Sequence, residues 1–169
     1  MAAFGAHPVC QTLAPLVIRS MATLSLTGRA LRLLSTREHS RAELERKLAQ
    51  YEEVPGALAK VLDALQAKDF INEGRVVESV IHRRSAKLGT QRIKQELQAK
   101  GLEPEAVAQV LQTLRASEVE RAREVWRKKF GAPAADAAER AKQMRFLASR
   151  GFGGDAIRRV VSGGDEDCL

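Results

Sequence analysis

The sequence predicts an all-α protein built as an elongated array of three tandem three-helix repeats. Three observations carry that expectation: a composition dominated by helix formers, apolar residues recurring at helical spacing, and an apolar pattern that returns at intervals of 49 and 50 residues. Each repeat is about fifty residues long and holds too little core to stand alone, so neighbouring repeats are expected to lean on one another.

The composition is 44% hydrophobic and 29% charged but only 4% aromatic, and it is rich in Ala, Leu, Glu, Arg, Lys and Gln. These residues lose little side-chain freedom in a helix. A length of 169 residues suits one compact domain or a row of small units, and the repetition decides for the row. Laying Ser40–Leu65 over Gly89–Leu114, a shift of 49, pairs Leu48 with Leu97, Pro55 with Pro104, Ala57 with Ala106, Val61 with Val110, Leu62 with Leu111 and Leu65 with Leu114. A shift of 50 then lays Leu97, Gly101, Leu102, Val107 and Leu111 over Leu147, Gly151, Phe152, Ile157 and Val161.

Taken in order, the first unit spans 27–71 and opens with a helix from Thr27 to about Thr36. Ser40 and Glu43 have the spacing of a capping box and start a helix carrying Leu44 and Leu48 on one face. The second unit, 72–117, opens with a helix from Asn72 to about Ala86, and its middle helix carries Ile93 and Leu97. That helix stops at Gly101, which takes a left-handed conformation at little cost, and Leu102 packs back on the last turn. Pro104 suits the first turn of the next helix, where Val107, Val110, Leu111 and Leu114 make one buried stripe. The third unit, 118–162, opens with Glu118 to about Phe130 and repeats the stop at Gly151 and Phe152. Gly131 to Asp136, with Pro133, is its flexible joint, and Asp136 caps the helix that follows.

The ends read differently. Residues 1–26 are expected to be a disordered or non-native extension: up to Ser20 the only charge is Arg19, which follows rather than precedes Leu16-Val17-Ile18, so the segment does not read as a secretory signal. Translation is expected to begin at Met21. At the other end, 163–169 form an acidic tail around Asp165, Glu166 and Asp167, read as a solubilising end, with competition for a basic groove as the alternative. Cys10 and Cys168 lie near opposite ends without metal-ligand spacing, which fits a reducing cytoplasm. No apolar run has the length of a membrane span.

No catalytic constellation is legible, so an enzyme is not expected, and no cofactor or metal is implied. His7, His39 and His82 are dispersed without a nucleophile-and-base motif, and His39 reads as a polar turn residue before Ser40. Gly151-Phe152-Gly153-Gly154 lacks the Lys-Ser/Thr of a phosphate-binding loop and reads as helix termination. Trp126 sits among Ala122, Val125 and Phe130 and reads as core rather than as a base-stacking platform.

The functional signal is positive charge. Lys and Arg total 28 against 21 Asp and Glu, a formal charge of +7, which favours polyanions and acidic protein surfaces as partners. Arg83, Arg84, Lys87, Arg92 and Lys94 gather around the first connection of the second unit. Arg121, Arg123, Arg127, Lys128 and Lys129 crowd one helix of the third, and Arg145, Arg150, Arg158 and Arg159 follow. Ordinary solvation of helix surfaces explains any one of them; the collective excess points to a binding face.

Leu34-Ser35-Thr36-Arg37-Glu38-His39-Ser40-Arg41-Ala42-Glu43-Leu44 closely resembles the opening motif of the RecX family of RecA regulators. Asn72-Glu73-Gly74-Arg75, Gly89 with Ile93, Glu96-Leu97 and Lys100-Gly101 resemble the family's second-unit pattern; Arg145-Phe146-Leu147, Arg150-Gly151-Phe152 and Ile157 resemble its third. The middle motif departs from the usual form, with Glu73 in place of Asp and Val76-Val77 in place of Phe-Ala. The resemblance covers about residues 27–161. It implies an elongated curved array of three-helix bundles, monomeric and cytoplasmic, that binds in the groove of the RecA filament on single- or double-stranded DNA and inhibits RecA by blocking filament growth or promoting disassembly. Contacts to RecA or DNA are then expected from Arg37, Arg41, Arg83, Arg84, Lys87, Arg92, Lys94, Arg127, Lys128, Arg145, Arg150, Arg158 and Arg159. Two other readings of the residues stay open: a DNA-binding helical protein acting independently of RecA, and a passive helical-repeat scaffold.

Overall fold

Capping residues set the helix starts. Ser25 accepts from the Gly28 N–H and starts α1 (Leu26–Leu34). Ser40 and Glu43 form the full reciprocal capping box of α2 (Arg41–Leu48), Asn72 caps α4 (Glu73–Arg84), and Asp136 caps α8 (Ala137–Ser149). Each places a side-chain oxygen on an N–H that has no partner within its own helix. Gly56, at φ +82°, leads into α3 (Ala57–Ala67), and Pro104 occupies the first turn of α6 (Pro104–Ala116). The remaining helices are α5 (Thr90–Ala99), α7 (Glu118–Lys129) and α9 (Gly154–Val161).

The structure, a computed structural model, describes residues 24–163, among which there are nine α-helices and one short 3-10 turn, Ala49–Tyr51. The expectations for the N-terminal extension, the translation start, Cys10, Cys168 and the acidic tail beyond Gly163 lie outside the described residues. The opening helices end slightly sooner than the apolar pattern suggests. Two hydroxyls explain the first: Ser35 and Thr36 donate back to the carbonyls of Arg32 and Leu33, turning the chain after Leu34.

The helices sort into three cores, one per unit. The first joins Ala30, Leu44, Leu48, Leu58, Leu62, Leu65 and Ile71. The second joins Val76, Val77, Val80, Ile93, Leu97, Leu102, Val107, Leu111 and Leu114. The third joins Ala122, Val125, Leu147, Phe152, Ala156, Ile157, Val160 and Val161. Leu48, Leu97 and Leu147, which the repeat aligns, are all fully buried, and burial of each contributes on the order of 2 kcal/mol. Trp126 packs half-buried against the third core and donates to Gln143 Oε1 at 2.8 Å. Gln143 is itself fully buried and donates onward to the Ala132 carbonyl, tying the Gly131–Asp136 connection to α8.

The units meet through two joints of one design, giving an elongated array. The start of each unit's middle helix lies on the end of the next unit's middle helix. At the first joint Ser40 Oγ donates to the Lys100 carbonyl at 2.5 Å, and Arg46 donates to the Ala99 carbonyl at 3.0 Å. At the second, Gly89 N–H donates to the Arg150 carbonyl at 2.9 Å and Gln91 N–H to the Gly151 carbonyl at 3.1 Å. The latter two bonds serve the start of α5 from outside its own unit. Gly89 and Gly151 are both necessary there: a Cβ on Gly89 would lie 2.2 Å from the Gly151 carbonyl, and Gly151, at φ +83°, would place one 2.6 Å from Arg92 N. Arginines at equivalent places brace each joint. Arg75 donates to Glu38 and to Asp69, and Arg121 donates to the carbonyls of Ser85, Leu88 and Leu114 and to Thr90 Oγ1.

Candidate functional site

The cations divide by what already holds them. Arg41, in the first turn of α2, is 2.7 Å from Asp63 and 3.0 Å from Glu45. Arg84 is 2.9 Å from Glu96, Arg127 is 3.0 Å from Glu124, and Arg158 pairs with Asp155. Arg83 turns back onto the Ser79 carbonyl at 3.0 Å. Such exposed pairs contribute little stability, but they lower the charge these side chains present.

Arg37 belongs to the architecture of the first joint. It lies 3.0 Å from Glu43, which also receives the buried ammonium of Lys100 at 2.7 Å and the Ser40 N–H at 3.2 Å. Burial acts to raise the Glu43 pKa, yet the hydrogen bonds from Arg37, Lys100 and Ser40 outweigh it and hold the carboxyl down to about 2. His39, expected as a polar turn residue, occupies that turn but is fully buried. Burial, followed by repulsion from Arg37 and Lys47, lowers its pKa to about 4, so the ring is neutral. Its Nδ1 has no hydrogen-bond partner and lies 3.7 Å from Glu43.

Lys87, Arg92, Lys94, Lys128, Arg145 and Arg159 remain, and among the described residues none of these side chains is in an ion pair or hydrogen bond. Lys87 sits in the turn after α4, Arg92 and Lys94 on α5, Lys128 on α7, Arg145 on α8 and Arg159 on α9. All belong to the second and third units. Arg150 is held differently: its guanidinium lies 4.6 Å over the Phe146 ring and donates to the Lys87 carbonyl at 3.4 Å. This restraint pre-positions its charge at the second joint.

The structure therefore brings Lys87, Lys128 and Arg150 together and distributes the other sequence-derived candidates along the array. It adds Lys129, which shares their cavity. The sequence placed Lys129 in the same basic run, but of the apolar walls beside it Val125 read only as a core neighbour of Trp126 and Phe146 only as part of the Arg145-Phe146-Leu147 motif. Among the described residues no group of three or more His, Cys, Asp or Glu is placed to hold a metal ion, and no helix is long and apolar enough to cross a membrane.

Sequence models of the three RecX three-helix domains match in chain order: the first over residues 28–65, the second over 72–111 and the third over 116–161. The regulatory protein RecX of Leptothrix cholodnii is 52% identical over 144 residues, covering 85% of this chain and 92% of the relative. That of Ralstonia nicotianae is 47% identical over 142 residues, covering 84% and 89%. The crystal structure of RecX from Lactobacillus salivarius superposes with a TM-score of 0.67 at 21% identity, covering 82% of this chain and 93% of that one. A second crystal structure, of regulatory protein RecX, gives 0.65 at 18% identity, covering 82% and 71%. Three consecutive domain matches and relatives near half identity make the chain a member of the RecX family.

Proposed function

We propose that this chain restrains RecA by lying as a monomer along the RecA–DNA filament, where it blocks growth or promotes disassembly. Family membership supports a RecA-modulating regulatory role in general. The observation that carries the finer reading is the distribution of charge: the cations without internal partners lie on successive units of an elongated array. A filament repeats its surface along its length, and a row of similar units engages several protomers at once, so weak contacts add through effective concentration.

Lys87, Arg92, Lys94, Lys128, Arg145, Arg150 and Arg159 are the leading contact residues on this reading. Arg83, Arg84, Arg127 and Arg158 contribute after exchanging their internal partners, and Arg37 and Arg41 chiefly shape the joint and the first unit. Addition of the purified chain to RecA on single-stranded DNA tests the proposal: ATP hydrolysis falls and filaments shorten as the chain is titrated, and the effect weakens with added salt. Unchanged hydrolysis and filament length at saturating chain rejects it. Sequence-selective, salt-dependent binding to bare DNA in the absence of any effect on RecA favours the independent DNA-binding reading instead.

A further inference from the structure

The two joints share a backbone design but not a charge pattern. At the first, two carboxylates of this chain neutralise the cations: Glu43 takes Arg37 and Lys100, and Glu38 takes Arg75; within the second unit, Glu96 on α5 takes Arg84. The repeat carries Glu38 and Glu43 onto Lys87 and Arg92, and carries Glu96 and Lys100 onto Phe146 and Arg150. Two acids thus become bases, one becomes an aromatic ring, and the base stays a base. Glu118 is the acid that remains at the second joint, and its Oε1 is taken up by the Thr90 N–H at 2.9 Å.

The result is a cavity of about 200 Å³ where the second unit meets the third. Val125 and Phe146 form its apolar floor, and Lys87, Lys128, Lys129 and Arg150 stand around it. None of these four cations is in an ion pair among the described residues. Phe146 is fixed from behind by an edge-on contact with Phe130, ring centroids 5.2 Å apart. Arg150 is fixed by the Phe146 ring and the Lys87 carbonyl. The cavity is pre-formed, which lowers the ordering cost of filling it.

We infer that this cavity is a docking pocket for an acidic protein segment that seats one apolar side chain on Val125 and Phe146 and offers flanking carboxylates to Lys87, Lys128, Lys129 and Arg150. Carboxylates are favoured over phosphates because the equivalent joint of the same chain is closed by glutamates, and because the floor is shaped for an apolar anchor. That RecA supplies the segment rests on the function proposed above; the chemistry of the pocket does not.

The test uses the full chain and a fluorescein-labelled peptide in which one leucine is flanked on both sides by Asp and Glu, read by fluorescence anisotropy. Wild type binds, replacement of the peptide leucine by serine weakens binding, and both Lys128→Glu/Lys129→Glu and Lys87→Glu weaken it by about tenfold or more. Lys87 lies in an exposed turn, so its variant keeps the test open if the helix variant folds poorly. Lys60→Glu/Lys68→Glu, the same charge change in the first unit, binds as wild type does. Equal binding by all variants overturns the inference. So does a short oligothymidylate that binds the pocket more tightly than the peptide with the same loss in the variants, since a nucleic acid is then the occupant. Peptide binding seen only after removal of residues 164–169 overturns it as well, in favour of the chain's own acidic end. RecA inhibition measured in parallel separates the two proposals: wild type that binds peptide without affecting RecA rejects the function and leaves the pocket standing.

Discussion

The ammonium of Lys100 in the second unit lies 2.7 Å from the carboxylate of Glu43 in the first, with both side chains about nine-tenths buried. Each charge is removed from water and each requires the other. Lys100→Met leaves Glu43 with Arg37 and the Ser40 N–H but strips away its buried partner, and a loss of about 3 kcal/mol is expected. The double variant Lys100→Met/Glu43→Gln is expected to lose less than the sum of the two single variants, as urea unfolding of all four proteins will show.

Acid sensitivity follows from the same cluster. The unfolded His39 ring takes up a proton near pH 6.5 and the folded ring resists until about 4, so stability falls as pH drops through that window. The Glu43 carboxyl, ordinarily near 4.5 and held to about 2, contributes stability above 4.5 that is lost as pH falls towards 2. Urea midpoints measured against pH should decline from near-neutral pH downward. His39→Gln is expected to flatten the upper part of that decline and spare the lower part.

Gly151→Ala places a methyl group 2.6 Å from Arg92 N at a backbone φ of +83°. The left-handed conformation alone costs about 1 kcal/mol for alanine, and the clash adds to it. Because the contact is between units, the third unit should loosen from the second before either unfolds. Faster hydrogen exchange at the Gly89 and Gln91 amides, with other core amides unchanged, is the expected signature.

Arg121→Lys should fail to replace the arginine. Two Nη atoms serve four acceptors on Ser85, Leu88, Thr90 and Leu114, the shortest at 2.7 Å, and the single ammonium nitrogen of a shorter, flexible lysine side chain cannot span that set. A loss of about 2 kcal/mol in thermal or urea unfolding is expected, whereas Arg123→Lys, which gives up only an exposed pair with Glu120, should change stability by less than about 0.5 kcal/mol.

Much of the fold was legible because it is local and repeated. Ser40 with Glu43, Gly101, Pro104, Asp136 and Gly151 each act within a few residues of themselves, and the structure finds each in its expected role. The joints were not legible. The repeat says that units lean on one another but not which ends touch, and Glu43 reads as half of a capping box with no sign of a second duty to Lys100, 57 residues away. The candidate face was legible only as a sum of charge. Which arginines are spent on Asp63, Glu96, Glu124 or Asp155 depends on rotamers and helix phase that sequence spacing leaves undetermined. Phe146 is the sharpest case: in the sequence it stands only as part of the Arg145-Phe146-Leu147 motif, yet its ring packs on the third core and lines a cationic cavity.

The described ends of the row differ from its seams. A further neighbour would need a left-handed glycine at the close of α2, where the repeat places Glu52 at φ −80°, its carboxylate accepting from Leu58 N–H. At the opposite extremity Asp136 and Glu139 already satisfy the opening amides of α8 and the Ala135 N–H. Among the described residues, neither extremity of the row repeats the glycine-on-backbone contact between Gly89 and Gly151, so that seam is chemically distinct from both ends of the array.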